Sequence, residues 1–325
     1  MGDATGLFLG LLAAAVWGSQ DVLVAFAGRR VGGVVSALGI VGTSSAIVLT
    51  LGILQGVVPP SDPHAFWLAA AAGVISAFGF TCFYTALRLG PISVASPTVA
   101  VYGGLGALGA VIFLGETLGP AQAVGAIAAT VGIALVGVTI AAGANRPSFT
   151  GPGVPFALAA LVAWSASTLI LAVAIREAGW LSTAEIARPA NVLVLVVLVL
   201  VVRSRRGATP DELPPLAPEP APVIDVAAAT AAAGTSPGPG ARLSAVLSAH
   251  PYRILVIGGA LESIGFVAFT YGLQVAPAWL VALASSLGPM VTVAAGVILF
   301  GERPRRVQWA GIGLVFAGIG LVALG

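Results

Sequence analysis

The stretch Val111-Ile112-Phe113-Leu114-Gly115-Glu116 returns 186 residues later as Val297-Ile298-Leu299-Phe300-Gly301-Glu302. The same offset aligns Gln122 with Gln308. A glutamate that follows a long apolar segment twice, each time with the same glutamine downstream, does not arise from apolar composition alone. We therefore interpret the chain as an internal duplication, and the two Gly-Glu pairs as its structural motif.

The composition predicts a membrane protein. Mean hydropathy is +1.05, and 58% of the residues are hydrophobic while only 8% are charged. A soluble protein carries about a quarter charged residues. The 325 residues leave room for ten spans of roughly 20 residues each. The sequence therefore predicts an all-α membrane protein with ten transmembrane helices.

Ten apolar segments alternate with polar or proline-containing breaks. They lie at about residues 6–27, 34–57, 65–88, 92–114, 120–142, 153–175, 183–202, 252–274, 278–300 and 306–324. A polar linker at 144–152 separates a first repeat, 1–143, from a second, 153–325. Within the second repeat, a segment rich in proline, alanine and glycine predicts a disordered cytoplasmic loop at about 203–250.

The orientation of the repeats follows from the number of spans. Five spans per repeat is an odd number, so the second repeat must be inverted relative to the first. Of the 14 arginines, 12 fall in the loops that join spans one–two, three–four, five–six, seven–eight and nine–ten, or at the span ends beside those loops. The positive-inside rule makes these loops cytoplasmic and places both termini outside. We expect a multi-pass protein of the plasma membrane.

The order of these motifs resembles the EamA-like branch of the drug/metabolite transporter superfamily. The resemblance rests on the duplicated five spans, on the Gly-Glu pairs, and on Ala-x-x-Trp-Gly-Ser at residues 14–19. It also rests on the hairpin Leu89-Gly90-Pro91, which returns as Val275-Ala276-Pro277. It implies a ten-helix basket with a central cavity and alternating access. It leaves the substrate open, because relatives handle amino acids, sugars, nucleotide sugars, drugs and other metabolites.

Asp21 is the first candidate for binding a substrate or a proton, since ionisable groups within spans are costly and usually functional. Trp17 precedes it by four residues, so the two share a helix face. Together they are suited to a cationic or polar substrate through charge and cation–π attraction. In the alternative, Asp21 lies near the cytoplasmic end of its span and reaches towards Arg29 and Arg30.

Glu262 lies near the middle of span eight and is the second candidate. Its repeat mate is Ser76, and the mate of Asp21 is Thr168, so neither acid belongs to the shared scaffold. An acid present in one repeat only points to proton coupling or to recognition of substrate charge. The alternative is a buried ion pair, or a protonated carboxyl group bound to a neighbouring helix.

Arg188 is the third ionisable candidate. It precedes Pro189, which lacks a backbone donor and disfavours helix at Arg188, so span seven is expected to start or kink there. Arg188 is a candidate cavity-mouth cation for a substrate carboxylate or phosphate, or a partner for Glu262. The alternative is an interfacial pair with Glu185.

Neutral residues complete the predicted site. The repeat mates Trp17 and Trp164 are expected to wall the cavity. The remaining candidates for hydrogen bonding are Gln20, Tyr84, Tyr102 and Tyr271. The motif residues Gly115, Glu116, Gly301 and Glu302 are expected to be structural. Each glycine permits a close turn, and each glutamate stands before the next helix, where unpaired N–H groups favour an anion.

Several functions are not supported by the sequence. There is no P-loop, so ATP does not drive transport through this chain. No basic patch with interleaved aromatics suggests nucleic acid. His64 and His250 lie in loops without ligand-spaced partners, so no metal is expected, and no cofactor is expected either. We predict a secondary transporter of small organic metabolites that works as an exporter, with optional proton coupling, and not an enzyme.

Two alternatives remain open. One is a facilitator or importer of nucleotide sugars or ions. The other is a non-transporting membrane enzyme or sensory scaffold, although an enzyme should show paired catalytic residues and a scaffold has no need for acids at mid-depth. The expected partners are the lipid bilayer, a small-molecule substrate and protons, and the oligomeric state is open between a monomer and a homodimer.

Overall fold

The computed structural model describes residues 2–31, 33–89, 95, 98–141, 152–205, 251–300 and 306–325. These residues form eleven α-helices and no β-strand. In chain order the helices are α1 (Gly2–Val31), α2 (Gly33–Leu54), α3 (Pro63–Leu89), α4 (Tyr102–Leu114), α5 (Pro120–Ala141), α6 (Val154–Ala178), α7 (Trp180–Arg205), α8 (Pro251–Val275), α9 (Ala278–Ser285), α10 (Gly288–Phe300) and α11 (Arg306–Leu324).

The helices account for the predicted spans. Seven of those described, α1, α2, α3, α6, α7, α8 and α11, are long and apolar enough to cross a bilayer. Three shorter apolar segments, Thr98–Leu114, Pro120–Val136 and Ala278–Val291, supply the others. The all-α membrane fold is therefore confirmed. Most of the predicted linker and cytoplasmic loop, together with Gly301 and Glu302, lies outside the described residues.

Two prolines act differently from each other. Span nine is divided into α9 and α10 by a turn at Ser286 and Leu287, just before Pro289, whose ring nitrogen cannot donate a helical hydrogen bond. In contrast, α7 begins at Trp180 and continues through Pro189. The expected start of span seven at Arg188 is therefore wrong. Proline is tolerated in membrane helices where neighbouring groups satisfy the freed backbone.

The two repeats pack on each other in crossed pairs. Helix α1 packs against α8 of the other repeat, and their mates α6 and α3 pack in the same way. The mates α5 and α11 pack on each other, as do α2 and α7. An inverted duplication produces such paired contacts, because each contact has a counterpart across the axis that relates the repeats. The same arrangement leaves a shared space between the repeats.

Glycines bring α5 and α11 together. A Cβ atom added at Gly318 would lie 2.6 Å from the carbonyl oxygen of Gly125, and one added at Gly311 would lie 2.8 Å from that of Gly132. Cβ atoms do not come so close to a backbone oxygen, so the helices can meet only where a side chain is absent. Gly125 and Gly132 are the mates of Gly311 and Gly318, which makes the contact symmetric.

We expect Gly318→Ala to push α5 away from α11 and to lower the free energy of unfolding by about 1–3 kcal/mol, the usual cost of overpacking. Gly320→Ala is the matched control on the same helix, since a Cβ atom there meets nothing within 4 Å. Unfolding in mixed micelles, followed by far-ultraviolet circular dichroism, compares the two variants. Equal stabilities would contradict the proposed close contact.

Both chain ends lie at one face of the bundle, which we call the terminal face. A side chain at Gly2 would meet Val275, beside the α8–α9 turn, and one at Gly325 would meet Gln122, beside the α4–α5 loop. These two connections contact each other through Glu116 and Ala278. The arrangement agrees with an even number of spans.

Candidate functional site

A cavity of about 1030 Å³, including its open part, lies between the two repeats. Its lining includes residues of α1, α3 and α4 from the first repeat and of α6, α7, α8, α9 and α10 from the second. Of the side chains predicted to bind substrate or protons, the lining contains Trp17, Gln20, Asp21, Tyr84, Tyr102, Trp164, Arg188 and Glu262. Residues that are far apart in the sequence therefore share one space.

Tyr271 is the predicted residue that the structure places elsewhere. Its side chain is 41% exposed and does not belong to the cavity lining. The ring packs edge-on against Trp180, with 6.2 Å between the ring centroids. Tyr271 therefore lies on the side of α8 that faces away from the cavity.

Arg188 and Glu262 form a buried ion pair in the cavity wall. Arg188 Nη2 donates to Glu262 Oε1 at 3.0 Å, and each side chain is only 3% exposed. The guanidinium carbon also lies 3.4 Å from the centroid of the Phe266 ring. Of the partners considered for Arg188, the described ion pairs include Glu262 and not Glu185. Each charge thereby compensates the other in a region where isolated charges are costly.

Two hydrogen bonds position the polar side chains of the cavity. Gln20 Nε2 donates to the Tyr84 hydroxyl oxygen at 3.0 Å, which joins α1 to α3. The hydroxyl groups of Tyr102 and Ser285 lie 2.8 Å apart, which joins α4 of the first repeat to α9 of the second. All four residues are buried, so these bonds hold the polar groups in defined positions along the wall.

The aromatic residues form two matching walls. Trp17 packs on Phe269 with 5.4 Å between the ring centroids. Its mate Trp164 packs on Phe83, the mate of Phe269, with 5.2 Å between the centroids. Each wall thus combines a tryptophan from one repeat with a phenylalanine from the other. The two tryptophans therefore face the cavity from opposite repeats, as expected.

Each tryptophan also rests on a glycine of the other repeat. A Cβ atom added at Gly79 would lie 2.5 Å from the Trp164 ring, and one added at its mate Gly265 would overlap Trp17. The absence of a side chain lets the Nε1–Cδ1 part of each indole approach a helix of the other repeat closely. The alignment of the repeats already pairs these glycines, but it does not indicate which tryptophan each one contacts.

The cavity includes residues that we did not select from the sequence. Ser76 and Thr168, the neutral mates of Glu262 and Asp21, both line it. The repeated positions therefore face the same space, and the two repeats differ there mainly in charge. The alignment of the repeats was the signal that pointed to these positions. Further polar lining residues are Ser167, Asn191, Ser285 and Ser286.

Glu116 lies at the terminal face and binds a helix of the other repeat. Gly115 has a φ of +66°, and the N–H of Glu116 donates to Ala110 O at 3.2 Å, so the expected close turn is present. Glu116 Oε1 accepts from the N–H of Ala278, and Oε2 from the N–H of Trp279, each at 3.0 Å. Glu116 therefore caps α9, and not the helix that follows it in the chain as we expected.

Two further contacts complete this motif. Arg176, at the end of α6, forms an ion pair with Glu116. The helix that follows Glu116, α5, is capped by Gln122, whose Oε1 accepts from the N–H of Gly119 at 2.8 Å. This contact is the glutamine half of a capping box. Gln122 thus caps α5, the role that we had expected for Glu116. Glu116 instead joins the two repeats.

His64 has partners that the sequence did not indicate. Its Nδ1 lies 3.0 Å from Glu177 Oε2, although 113 residues separate the two. Asp62 lies close enough that one ligand atom from each of the three residues falls within 4.8 Å of the others. All three side chains are exposed, and the His64–Glu177 contact joins the start of α3 to the end of α6.

Comparison with known proteins assigns the chain to a family. The EamA-like transporter family matches residues 4–138 and 226–324, well over half of the sequence. An 84-residue segment is 38% identical to the spermidine export protein MdtI of Cronobacter sakazakii, covering 26% of this chain and 63% of that protein. One solved crystal structure of a protein shares the fold at a TM-score of 0.69 and 18% identity, over 99% of this chain and 97% of its own. This chain belongs to the EamA-like transporter family.

Proposed function

We propose that this protein exports small organic molecules across the plasma membrane by alternating access through the cavity between its inverted repeats. The observation that carries the proposal is the composition of the cavity wall, which draws on mated positions of both repeats. Rocking one repeat against the other around such a symmetric site would change the side from which the site is reached. The membership in a transporter family supports the same conclusion.

The contacts at the terminal face support a conformation that is closed on that side. Glu116 ties the end of α4 to α9 of the second repeat, and Arg176 adds a contact from α6. We place the terminal face outside the cell, because the arginine-rich loops belong to the opposite face. The cavity would then load from the cytoplasm, as an exporter requires.

We also propose that proton exchange at Asp21 or Glu262 drives export. Both acids line the cavity, where substrate and proton would compete for the same carboxylate. At Glu262 a proton would have to displace Arg188, which lies 3.0 Å away. The spermidine export protein, which is 38% identical over an 84-residue segment, suggests amines as substrates.

Purified protein in proteoliposomes tests transport directly. A panel of amines, amino acids, sugars and nucleotide sugars is loaded with and without a pH gradient, and flux is measured. Transport that is stimulated by the gradient in the wild type and not in Asp21→Asn or Glu262→Gln supports proton coupling. Flux that is independent of the pH gradient would instead indicate a facilitator, and catalytic conversion of a compound would indicate an enzyme.

We expect Thr168→Trp to fill the cavity and to lower transport about tenfold or more, because substrate sites tolerate added bulk poorly. Tyr271→Ala is the control, since Tyr271 is outside the cavity lining and should transport like the wild type. Initial rates in proteoliposomes measure both. Normal transport by Thr168→Trp would show that substrate takes another path.

A further inference from the structure

Glu185 is an ionisable residue within span seven that lies outside the cavity. It follows Trp180, the first residue of α7, by little more than one turn, and it does not belong to the cavity lining. Its Oε1 atom is buried and has no hydrogen-bond partner among the described residues. Acids within spans are costly and usually functional. We propose that Glu185 is a proton-binding site and a second partner for Arg188, which moves between Glu262 and Glu185; this proposal rests on the proposed function.

Arg188 lies within reach of Glu185 because the two share one helix face. They are three residues apart on α7. Side chains of a helix lean towards its N-terminus, so Arg188 extends over the turn that contains Glu185. Arg188 Nη2 donates to Glu262, whereas Nε is buried and has no partner among the described residues. One helix face therefore carries an unsatisfied donor and an unsatisfied acceptor, and a contact between them would satisfy both.

The carboxyl group of Glu185 lies against Gly52 of α2. A Cβ atom added at Gly52 would overlap Glu185 Oε1 and would lie 2.8 Å from Cδ. The carboxyl group thus occupies space that only glycine leaves open on α2. A glutamate side chain has several rotatable bonds, so a change of rotamer can turn this group from α2 towards Arg188 without a movement of the helices.

The repeat mates of these residues are apolar. The offset that pairs the two cavity tryptophans gives the mates Leu38 for Glu185, Val41 for Arg188 and Val199 for Gly52. Helices α2 and α7 are themselves mates, so the counterpart of the contact between Glu185 and Gly52 joins two aliphatic residues. Apolar side chains therefore suffice for packing at these positions. The acid and the cation on α7 are additions to the shared scaffold, as Glu262 is.

The other ionisable groups near α7 leave Arg188 as the partner for Glu185. Helices α2, α3, α6 and α8 pack against α7, and α2 contains no ionisable residue. Glu262 apart, the described ionisable side chains of the other three helices are His64, Cys82, Tyr84, Arg176, Glu177, Tyr252, Arg253 and Tyr271. Of the cations, Arg176 pairs with Glu116, and Arg253 lies at the opposite end of the bundle from the start of α7.

One shared proton accounts for two arrangements. In the observed arrangement Arg188 pairs with Glu262, and Glu185 holds the proton. In the other arrangement Glu185 has released its proton and pairs with Arg188, while Glu262 has bound one. The formal charge of the three side chains is zero in both arrangements. Neither arrangement therefore leaves an uncompensated charge in the membrane, where such charges are costly.

The positions of the two acids give the exchange a direction. Helix α7 begins at the terminal face, where the N–H of Trp180 donates to Gln274 Oε1 near the end of α8. Glu185 is only partly buried, so protons reach it from that side, whereas Glu262 lines the cavity. A proton that binds Glu185 releases Arg188 to Glu262, and the proton of Glu262 leaves into the cavity. Protons thus enter by a route that is separate from the substrate path.

Infrared difference spectroscopy of the full-length protein in micelles tests the exchange without a substrate. Spectra recorded against a high-pH reference detect protonated carboxyl groups by their C=O stretch. We expect a band at neutral pH that is lost in Glu185→Gln. It should also be lost in Glu262→Gln, because Arg188 then pairs with Glu185 and expels its proton. Glu177→Gln, which changes an acid at the surface, should keep the band.

Gly52→Ala shifts the exchange without removing a charge, so it keeps the test decisive if Glu262→Gln fails to fold. The added Cβ atom turns the Glu185 carboxyl group off α2 towards Arg188, and the proton should pass to Glu262. The band should then change its frequency. Gly42→Ala is the matched control on α2, since a Cβ atom there meets nothing within 4 Å. A band that persists in Glu262→Gln, or that is unshifted in Gly52→Ala, would overturn the exchange.

Proteoliposomes distinguish failure of the exchange from failure of the proposed function. The same panel of amines, amino acids, sugars and nucleotide sugars is used. Glu185→Gln should lose the stimulation of flux by the pH gradient and should keep the exchange of labelled for unlabelled compound at equal pH. Full stimulation in Glu185→Gln would overturn the role of Glu185 and support transport. The expected infrared bands in a protein that moves no compound would overturn transport and support the partner exchange.

Discussion

Glu262→Leu is expected to lower the free energy of unfolding by about 3–5 kcal/mol, because it leaves a buried cation without its partner. The Arg188 side chain is 3% exposed, so water cannot replace the lost carboxylate. The ring of Phe266 remains above the guanidinium, but a cation–π contact, which contributes about 2 kcal/mol or more when it is desolvated, supplies no opposite charge.

The double variant Arg188→Leu with Glu262→Leu distinguishes loss of an ion pair from loss of packing. Removing both charges avoids the unpaired cation, so we expect most of the stability to return. Unfolding in mixed micelles, monitored by tryptophan fluorescence, provides the free energies for a double-mutant cycle. Glu177→Gln removes an acid whose contact with His64 lies at the surface, and should alter stability by less than about 1 kcal/mol. A double variant as unstable as Glu262→Leu would show that the unpaired Arg188 cation is not the cause of the lost stability.

Glu116→Ala is expected to loosen the contact between the repeats at the terminal face. The substitution leaves the N–H groups of Ala278 and Trp279 without their acceptor and releases Arg176. An unsatisfied buried donor costs about 1–3 kcal/mol, so the closed arrangement should lose at least that amount. If this face is the outer gate, its opening becomes more frequent in the variant.

Thiol labelling measures that opening. The single cysteine, Cys82, is buried and is first replaced by alanine, and Ser76→Cys then places a thiol in the cavity wall. A loss of about 1.4 kcal/mol in the closed state corresponds to about tenfold faster labelling by a membrane-impermeant maleimide added at the terminal face. Asp3→Asn in the same background controls for the loss of one negative charge at that face. Unchanged labelling in Glu116→Ala would show that Glu116 does not restrain the gate.

Much of the site was predictable because the duplication marks it. Comparison of the repeats identified Asp21 and Glu262 as acids whose mates, Thr168 and Ser76, are neutral. All four residues line the cavity. Tyr271 shows the limit of this approach. An aromatic residue within a span is equally compatible with a cavity face and with an outward face, and nothing local to the sequence distinguishes them.

The sequence by itself determined the ten apolar segments, the duplication and the inversion, since these depend on segment length, local composition and a fixed offset. Only the tertiary structure decided which partners meet. Glu116 follows the rules of a helix cap, but it caps a helix 162 residues away, since Gln122 already satisfies the nearer one. Arg188 likewise joined Glu262 and not its neighbour Glu185. Such choices depend on how helices from two repeats cross, and the periodicity of one helix does not contain that information.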